Sequence, residues 1–287
     1  MRKSIIWKIL RVARTFWEHL LSAIVVTVFR FAQIFPRGRQ STSRALSQIF
    51  TISNSVKDSE YKYEYLTPNW LTFFRAKSLF LKEPETIEWL KKIPAGSVLW
   101  DVGANIGTYS IYAGKRGCKV FAIEPSFLNI ELLQRNIILN KLNKTIALLP
   151  IGVGERTLLT SYFMSSPNLI WGGAHNSVDK NLGAGGLPLE NPVEIRGFVF
   201  SMDDLSKFMN VELPQYLKID VDGLELEVLK GGINVLKGVR SILIEVDHDS
   251  LEQSQGLVKI LESSNFVLSS PAANNSGAVN QIWIRKD

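Results

Sequence analysis

The strongest candidate for chemistry is a run of acidic and glycine residues within residues 97–110. An apolar stretch reaches Asp101 and enters a turn with glycine at 103 and 107, and a helix is predicted to follow. Glycine lets the backbone pass close to a ligand where a Cβ would collide, and the helix start offers free N–H groups. This pattern predicts a nucleotide site in which Asp101 holds a ligand amine. The predicted binding residues of the turn are Asp101, Gly103, Asn105, Gly107 and Tyr109.

A second apolar stretch, residues 119–124, ends in Glu124. Its spacing from the glycine turn is that at which a carboxylate accepts both hydroxyls of a ribose. A dinucleotide site would need glycine at positions 105 and 108, where Asn105 and Thr108 stand, so a pyrophosphate has no obvious place. S-adenosylmethionine has no phosphate, and its amino group suits Asp101. The spacing therefore favours S-adenosylmethionine as the cofactor, with Glu124 as its ribose ligand.

Acidic residues also follow the later apolar stretches, and these can serve an acceptor. An alcohol must lose its proton during methyl transfer, which calls for a base near the strand ends. We predict Asp220, Asp222 and His175 as catalytic residues, with Glu245 and His248 as further candidate bases. A second interpretation stays open, in which Asp220 and Asp222 bind the donor's ammonium group or cap the next helix.

Four blocks of the sequence, in the same order, resemble the FkbM-type methyltransferases. These blocks are residues 83–90, 101–107, 121–126 and 217–231. The resemblance implies an α/β fold with the Rossmann-like, seven-stranded sheet of class I methyltransferases. It also implies O-methylation of a sugar, a glycan or another secondary metabolite. The chain departs from the family at Asp222, where glutamate is common.

The elements that must position these residues follow from the hydrophobic pattern. Strands alternate with helices until a final pair, which predicts a doubly wound sheet closed by a hairpin. The predicted strands lie near residues 97, 119, 145, 215, 241, 265 and 281. Residues 154–214 form a long insertion with extended runs at 158–164 and 193–200, and we interpret it as a lid. Its Trp171, His175 and Asn176 are expected to contact the acceptor.

Charge divides the chain into two parts. Residues 1–44 contain nine basic residues and a single acidic one, Glu18, and the remainder is nearly neutral. Polar side chains recur every three or four positions in residues 5–35, typical of an amphipathic helix, which Pro36 and Gly38 should end. We predict a basic, apolar helical extension at residues 1–40, a linker at 41–60 and a methyltransferase domain at 61–287. Residues 5–35 are expected to lie on an anionic membrane surface or to pack on the chain's own domain or a second copy.

Composition excludes some partners and leaves others open. A near-neutral domain without a basic stripe offers no footprint for a phosphate backbone, so nucleic acid is not a predicted partner. Cys118 is the single cysteine, the three histidines form no cluster with it, and we predict no metal site. These features suit a cytoplasmic protein, peripheral at the membrane. The oligomeric state is left open.

Function itself has three candidate interpretations. The first is a methyltransferase whose partner is a small-molecule, sugar or lipid-linked glycan acceptor. The second is a membrane-associated binding protein that keeps the fold without catalysis, because a fold alone does not fix a function. The third is a nucleotide-dependent oxidoreductase, which Asn105 disfavours.

Overall fold

A computed structural model of the chain describes residues 17, 20–49, 51–165, 170–174, 176–178, 189, 191–208, 211–247, 251–271 and 278–286. The contacts divide the chain into two units, residues 1–52 and 53–287. The described part of the first unit forms helix α1 over residues 20–32 and helix α2 over Pro36–Ile49. Within the described ranges, no helix combines the length and the apolarity that crossing a membrane requires.

Pro36 begins a helix as well as following one. Helix α1 ends before Pro36 as predicted, but the chain then turns directly into α2. Proline is favoured in the first turn of a helix because the N–H that it lacks has no partner there. A Cβ on Gly38 would lie 1.8 Å from the carbonyl oxygen of Ala32, so glycine allows α2 to start against the end of α1. The first helix thus ends where predicted, and the second helix, which directly follows it, was not predicted.

The second unit alternates strands with helices. Its helices are α3 (Trp70–Lys77), α4 (Pro84–Lys91), α5 (Thr108–Lys115), α6 (Phe127–Leu139), α7 (Met202–Phe208), α8 (Glu225–Lys230), α9 (Ile233–Leu236) and α10 (Leu251–Ser263). Its strands are β1 (Ser53–Lys57), β2 (Lys62–Leu66), β3 (Val98–Val102), β4 (Lys119–Ile123), β5 (Ile146–Leu149), β6 (Gly152–Val153), β7 (Leu158–Ser165), β8 (Asn176–Val178), β9 (Pro192–Phe200), β10 (Tyr216–Ile219), β11 (Ser241–Asp247), β12 (Phe266–Pro271) and β13 (Ala278–Arg285).

Seven of these strands form the main sheet, in the order β12-β13-β11-β10-β3-β4-β5. Its five neighbouring strands β11, β10, β3, β4 and β5 are parallel, and β13 is antiparallel to both of its neighbours. The chain adds β4 and β5 on one side of β3 and adds β10 and β11 on the other. The topological switch point, where ligands bind in such sheets, thus lies between β3 and β10. The predicted Rossmann-like α/β sheet with its final hairpin is confirmed.

Strand β3 is buried along its whole length because helices cover both faces of the parallel sheet. Successive side chains of a strand point to opposite faces. Trp100 and Val102 therefore pack into one core cluster, and Leu99 packs into the other. Asp101 lies on the same face as Leu99, beside its register partner Lys218 on β10. This alternation decides what Asp101 can contact.

The predicted linker at residues 41–60 is folded in the structure. Helix α2 extends to Ile49, and β1 pairs antiparallel with β2 in register from Ser53 to Lys57. The second unit accordingly begins at Ser53 and not near Tyr61. Strand β1 is polar and mostly exposed, so it carries no hydrophobic alternation that the sequence could have revealed.

The predicted insertion at residues 154–214 carries a second sheet. Its two extended runs form β7 and β9, as predicted, and these strands pair along eight residues each. The order of this sheet is β6-β9-β7-β8. Because β6 directly follows the parallel strand β5 by a short connection, the insertion is tied to the carboxyl-end edge of the main sheet.

Candidate active site

A cavity of about 450 Å³ opens at the carboxyl ends of the parallel strands, a size typical of small-molecule sites. Six predicted site residues line it: Gly103, Asn105, Glu124, Asp220, Asp222 and Glu245. Glu225 contributes one more carboxylate. The structure thus brings predicted donor residues and predicted acceptor residues to one cavity.

The turn after β3 adopts left-handed backbone conformations at three positions. Gly103, Asn105 and Gly107 have φ values of 86°, 51° and 85°. Asparagine tolerates this conformation better than most residues, which explains how Asn105 occupies a position often filled by glycine. A Cβ on Gly107 would lie 2.2 Å from Cδ1 of Leu133 on α6, so this glycine serves helix packing and does not line the cavity.

Gly103 lies against the end of the neighbouring strand. A Cβ on it would stand 1.8 Å from the backbone oxygen of Asp220, at the point where β10 ends. The close approach of this turn to β10 is what places the donor wall beside Asp220. Only glycine fits both the space and the φ angle.

We expect Gly103→Ala to destabilise the chain much more than Gly96→Ala. Gly96 has nearly the same φ, 84°, but a Cβ there meets nothing within 4 Å. The control should lose about 1–2 kcal/mol from backbone strain alone. Gly103→Ala should lose about 1–3 kcal/mol more, because it also crowds the backbone of Asp220. Urea unfolding of both variants measures the difference, and equal losses would contradict this packing account.

Glu124 lies just beyond the tip of β4 and faces the cavity. Its carboxylate accepts hydrogen bonds from the backbone N–H of Asn105 at 2.8 Å and of Ser126 at 2.9 Å. Asn129 on α6 donates to it as well. Burial raises the pKa of Glu124 to about 7, against the lowering effect of these donors. The carboxylate of Glu124 is therefore held in place partly by the glycine turn after β3.

Lys218 is a buried charged residue that lies between Asp101 and Asp220. It is only 1% exposed, and its Nζ lies 2.8 Å from Oδ2 of Asp220 and 3.8 Å from Oδ1 of Asp101. Burial by itself would lower the pKa of Lys218, but Asp220 and Asp101 raise it. Burial likewise favours a raised pKa for Asp220, yet Lys218 lowers it. Lys218 and Asp220 are thus a charged pair at neutral pH.

Asp101 lies beneath the cavity and does not line it. It is the fourth residue of β3, and the alternation of the strand points its side chain to the face on which α5 packs. There Ser110 of α5 donates to its Oδ2. Its Oδ1 has no hydrogen-bond partner within the described residues. Tyr109 is also outside the cavity wall, with its ring 5.1 Å from Nζ of Lys218. Asp101 and Tyr109 thus contact Lys218 outside the cavity lining, and their contact with the donor stays a prediction.

Part of the predicted lid is anchored at the cavity mouth. Asn129 donates to the carbonyl of Gly173 and accepts from the N–H of Gly172. Arg75 on α3 donates to the carbonyl of Gly172 at 2.7 Å, and the side chain of Asn105 donates to the carbonyl of Gly173 at 3.0 Å. The cavity wall includes Gly173, so this segment closes one side of it.

The three predicted acceptor contacts of this segment have different outcomes. Trp171 packs against a small core cluster, and its Nε1 donates to Glu131, so it does not line the cavity. His175 lies outside the described residues, as does His248. Asn176 belongs to β8, and its side chain is not described.

The stretch that contains the glycine turn, the strand-end carboxylate and the buried lysine matches a known family. The FkbM methyltransferase domain matches residues 101–269, more than half of the chain. The chain belongs to the FkbM methyltransferase family. S-adenosylmethionine is the cofactor of this class I methyltransferase fold, and the acidic cavity with Glu124 at a strand end fits its ribose and its two positive charges.

Two curated relatives of this FkbM-family chain are methyltransferases. One is the hexuronic acid methyltransferase AglP of Haloferax volcanii, 31% identical over 157 residues, which are 55% of this chain and 59% of that protein. The other is methyltransferase sdnD of Sordaria araneosa, 29% identical over 165 residues, which are 50% of this chain and 62% of that protein. The matched part spans less than two thirds of either relative. Among solved structures, magnesium protoporphyrin IX methyltransferase from Synechocystis PCC 6803 covers 89% of this chain and 97% of its own, with 10% identity and a TM-score of 0.44.

Two site residues of this FkbM-family chain escaped the sequence patterns. Lys218 lies inside an apolar strand, where a fully buried lysine is rare unless it is paired. A lysine two residues before Asp220, in an otherwise apolar strand, was the available signal for such a pair. Arg75 carried no signal, because only the fold brings α3 to the cavity.

Proposed function

We propose that the chain transfers the methyl group of S-adenosylmethionine to a hydroxyl of a sugar, a glycan or a related small molecule. The observation that carries this proposal is the cavity at the switch point, which is lined by Glu124 after β4 and by Asp220, Asp222 and Glu245 at the ends of β10 and β11. Methyl transfer from a sulfonium is an in-line displacement, so alignment of the acceptor with the methyl group supplies most of the rate. A cavity with a donor wall and an acceptor wall suits that alignment.

The cavity-lining residues have distinct roles in this proposal. Glu124 binds the ribose, and the turn containing Gly103 and Asn105 holds the donor close to β10. Asp220 and Asp222, which also line the cavity, face the donor's positive charges. Asp222 adopts a left-handed conformation, with φ of 55°, in the tight turn that brings it to the cavity.

A sugar acceptor with a carboxylate is the first probe class. Arg75 and Lys82 line the cavity, and arginine presents a planar fork that matches a carboxylate. Nε of Arg75 donates to the carbonyl of Gly172, and among the described residues its two amino groups have no hydrogen-bond partner. The similarity to a hexuronic acid methyltransferase supports the same class.

The test has two stages on the full chain. Calorimetric titration with S-adenosylhomocysteine should show micromolar binding. Isotope-labelled S-adenosylmethionine is then offered with p-nitrophenyl β-D-glucuronide and, as the neutral match, p-nitrophenyl β-D-glucoside. Transfer to the glucuronide supports the proposal, whereas binding of S-adenosylhomocysteine without transfer to either sugar favours the non-catalytic interpretation. Binding of a nicotinamide dinucleotide in its place would favour an oxidoreductase.

We also propose that residues 5–35 attach the chain to an anionic membrane surface. The part of this segment that the structure describes has exposed apolar side chains, among them Ile24, Val28 and Phe31 at 50%, 61% and 64% exposure. Exposed apolar side chains beside basic residues suit a bilayer interface. Co-sedimentation with phosphatidylcholine vesicles, with and without 30% phosphatidylglycerol, tests this. Equal recovery in the supernatant with both vesicles would reject it, and a concentration-dependent mass in light scattering would assign the surface to a second copy.

A further inference from the structure

The carboxylates around the cavity differ in how far their oxygens are already engaged. Glu124 accepts two backbone N–H groups from its own turn. Oε1 of Glu225 accepts the N–H groups of Val221 and Gly223, both at 3.1 Å, and so holds the turn after β10. Asp220 is bound to Lys218. These three groups have structural partners that would have to be given up before they could take a proton from an acceptor.

Glu245 is engaged differently. It lies near the end of β11, directly beside the end of β10, and it lines the cavity. Its backbone pairs with Asn280 on β13, and the side chain of Asn280 is turned to Glu85 on α4. Within the part of the chain that the structure describes, its carboxylate receives no hydrogen bond and forms no ion pair. It is a cavity-lining carboxylate whose two oxygens are engaged by none of the residues that the structure describes.

The charges that face Glu245 are mostly of its own sign. Asp220, Asp222 and Glu225 act on it from the end of β10, the following turn and the start of α8, and the cation Lys218 opposes them. Arg75 and Lys82 line the same cavity. From β13 the facing residue is the neutral Asn280. Burial first, and then Asp220, raise the pKa of Glu245 to about 8. A base whose pKa lies near the working pH is the most effective kind.

We propose that Glu245 is the general base that removes the proton from the acceptor hydroxyl. This inference rests on the proposed function. As the acceptor oxygen forms a bond to the methyl carbon, the carbon–sulfur bond breaks and its electron pair stays on sulfur. The hydroxyl proton passes to the carboxylate of Glu245 and then to water. Asp220 stays ionised beside Lys218 and faces the donor's cation. Of the two neighbouring carboxylates, Glu245 therefore takes the proton and Asp220 stabilises the donor.

The experiment compares Glu245→Gln with wild type in the full chain, with S-adenosylmethionine and p-nitrophenyl β-D-glucuronide as the probe. We expect kcat to fall about 10²- to 10⁴-fold, the usual worth of a general base. Affinity for S-adenosylhomocysteine should stay within about twofold, since Glu245 is placed on the acceptor wall. Glu245→Asp should recover part of the rate. Glu262→Gln, at an exposed carboxylate of α10, is the matched control and should behave as wild type.

The pH profile separates a base from a structural residue. With S-adenosylmethionine saturating at every pH, wild-type kcat/KM for the glucuronide should rise with pH up to an inflection near 8, and Glu245→Gln should lose that rise. A Glu245→Gln variant that binds S-adenosylhomocysteine and keeps both kcat and the rise would overturn the inference alone. A wild-type chain that binds S-adenosylhomocysteine but methylates neither glycoside would overturn the proposed sugar acceptor, and this inference with it.

Discussion

Replacing Glu124 with glutamine should weaken binding of S-adenosylhomocysteine about a hundredfold, which corresponds to about 2.7 kcal/mol. The variant loses the charge that accepts the two ribose hydroxyls, and a hydrogen bond to a charged group contributes about 1.5–3 kcal/mol. Glutamine keeps the size of the side chain and one oxygen for the N–H of Asn105 or Ser126. Calorimetric titration of the full chain measures the change, with Glu262→Gln as the control.

The same carboxylate should make donor binding depend on pH. Burial raises the pKa of Glu124 to about 7, so most of the group is protonated at pH 6 and ionised at pH 8. Because ribose hydroxyls bind the ionised form, affinity should rise about tenfold between these pH values in wild type. The glutamine variant should show no such rise. Equal affinities for wild type and variant at pH 8 would place the ribose elsewhere.

The second large effect is expected at Lys218. Lys218→Met leaves Asp101 and Asp220 as buried charges without their cation. Removal of one partner from a buried ionic cluster costs about 3–5 kcal/mol of unfolding free energy. Urea unfolding measures it, and Lys259→Met, at an exposed lysine of α10, should change the unfolding free energy little.

The sign of the pH dependence distinguishes lost charge pairing from lost packing. Burial already holds the pKa of Asp101 above its ordinary value, and without Lys218 it rises further. The pKa of Asp220, which Lys218 holds low, then rises above its unfolded value as well. Such a rise destabilises the folded state at neutral pH, and the loss shrinks as the pH falls and the aspartates take up protons. The deficit of Lys218→Met should therefore be smaller near pH 5 than at pH 8. A deficit independent of pH would show that the lysine side chain acts by packing alone.

The donor wall could be predicted from the sequence because its signals are local. Glu124 ends an apolar strand, and Gly103 follows another, so their positions depend only on strand boundaries. Asp101 shows where this reasoning fails. It lies one residue before the end of β3, and successive side chains of a strand point to opposite faces. A difference of one residue in the predicted strand end therefore changes the face on which the side chain lies.

The acceptor wall depends on contacts between distant segments, and these could not be predicted. Lys218 acquires its importance from Asp101, which is more than a hundred residues earlier in the chain. Arg75 reaches the cavity because α3 packs beside the insertion. Strand β1 is polar and exposed, so its pairing with β2 left no hydrophobic pattern to detect. In each case the role of the residue depends on a distant partner, which the residue type and its neighbours in sequence do not reveal.

The position of β13 has a consequence for synthesis on the ribosome. This strand, Ala278–Arg285, lies between β11 and β12 and pairs with both. Until these residues have been made, β11 has an open edge in the middle of the sheet, and unpaired edges of this kind invite aggregation. The nascent chain can therefore complete its sheet only after translation of the last strand. A ribosome stalled before residue 278 should hold a chain that depends on chaperones.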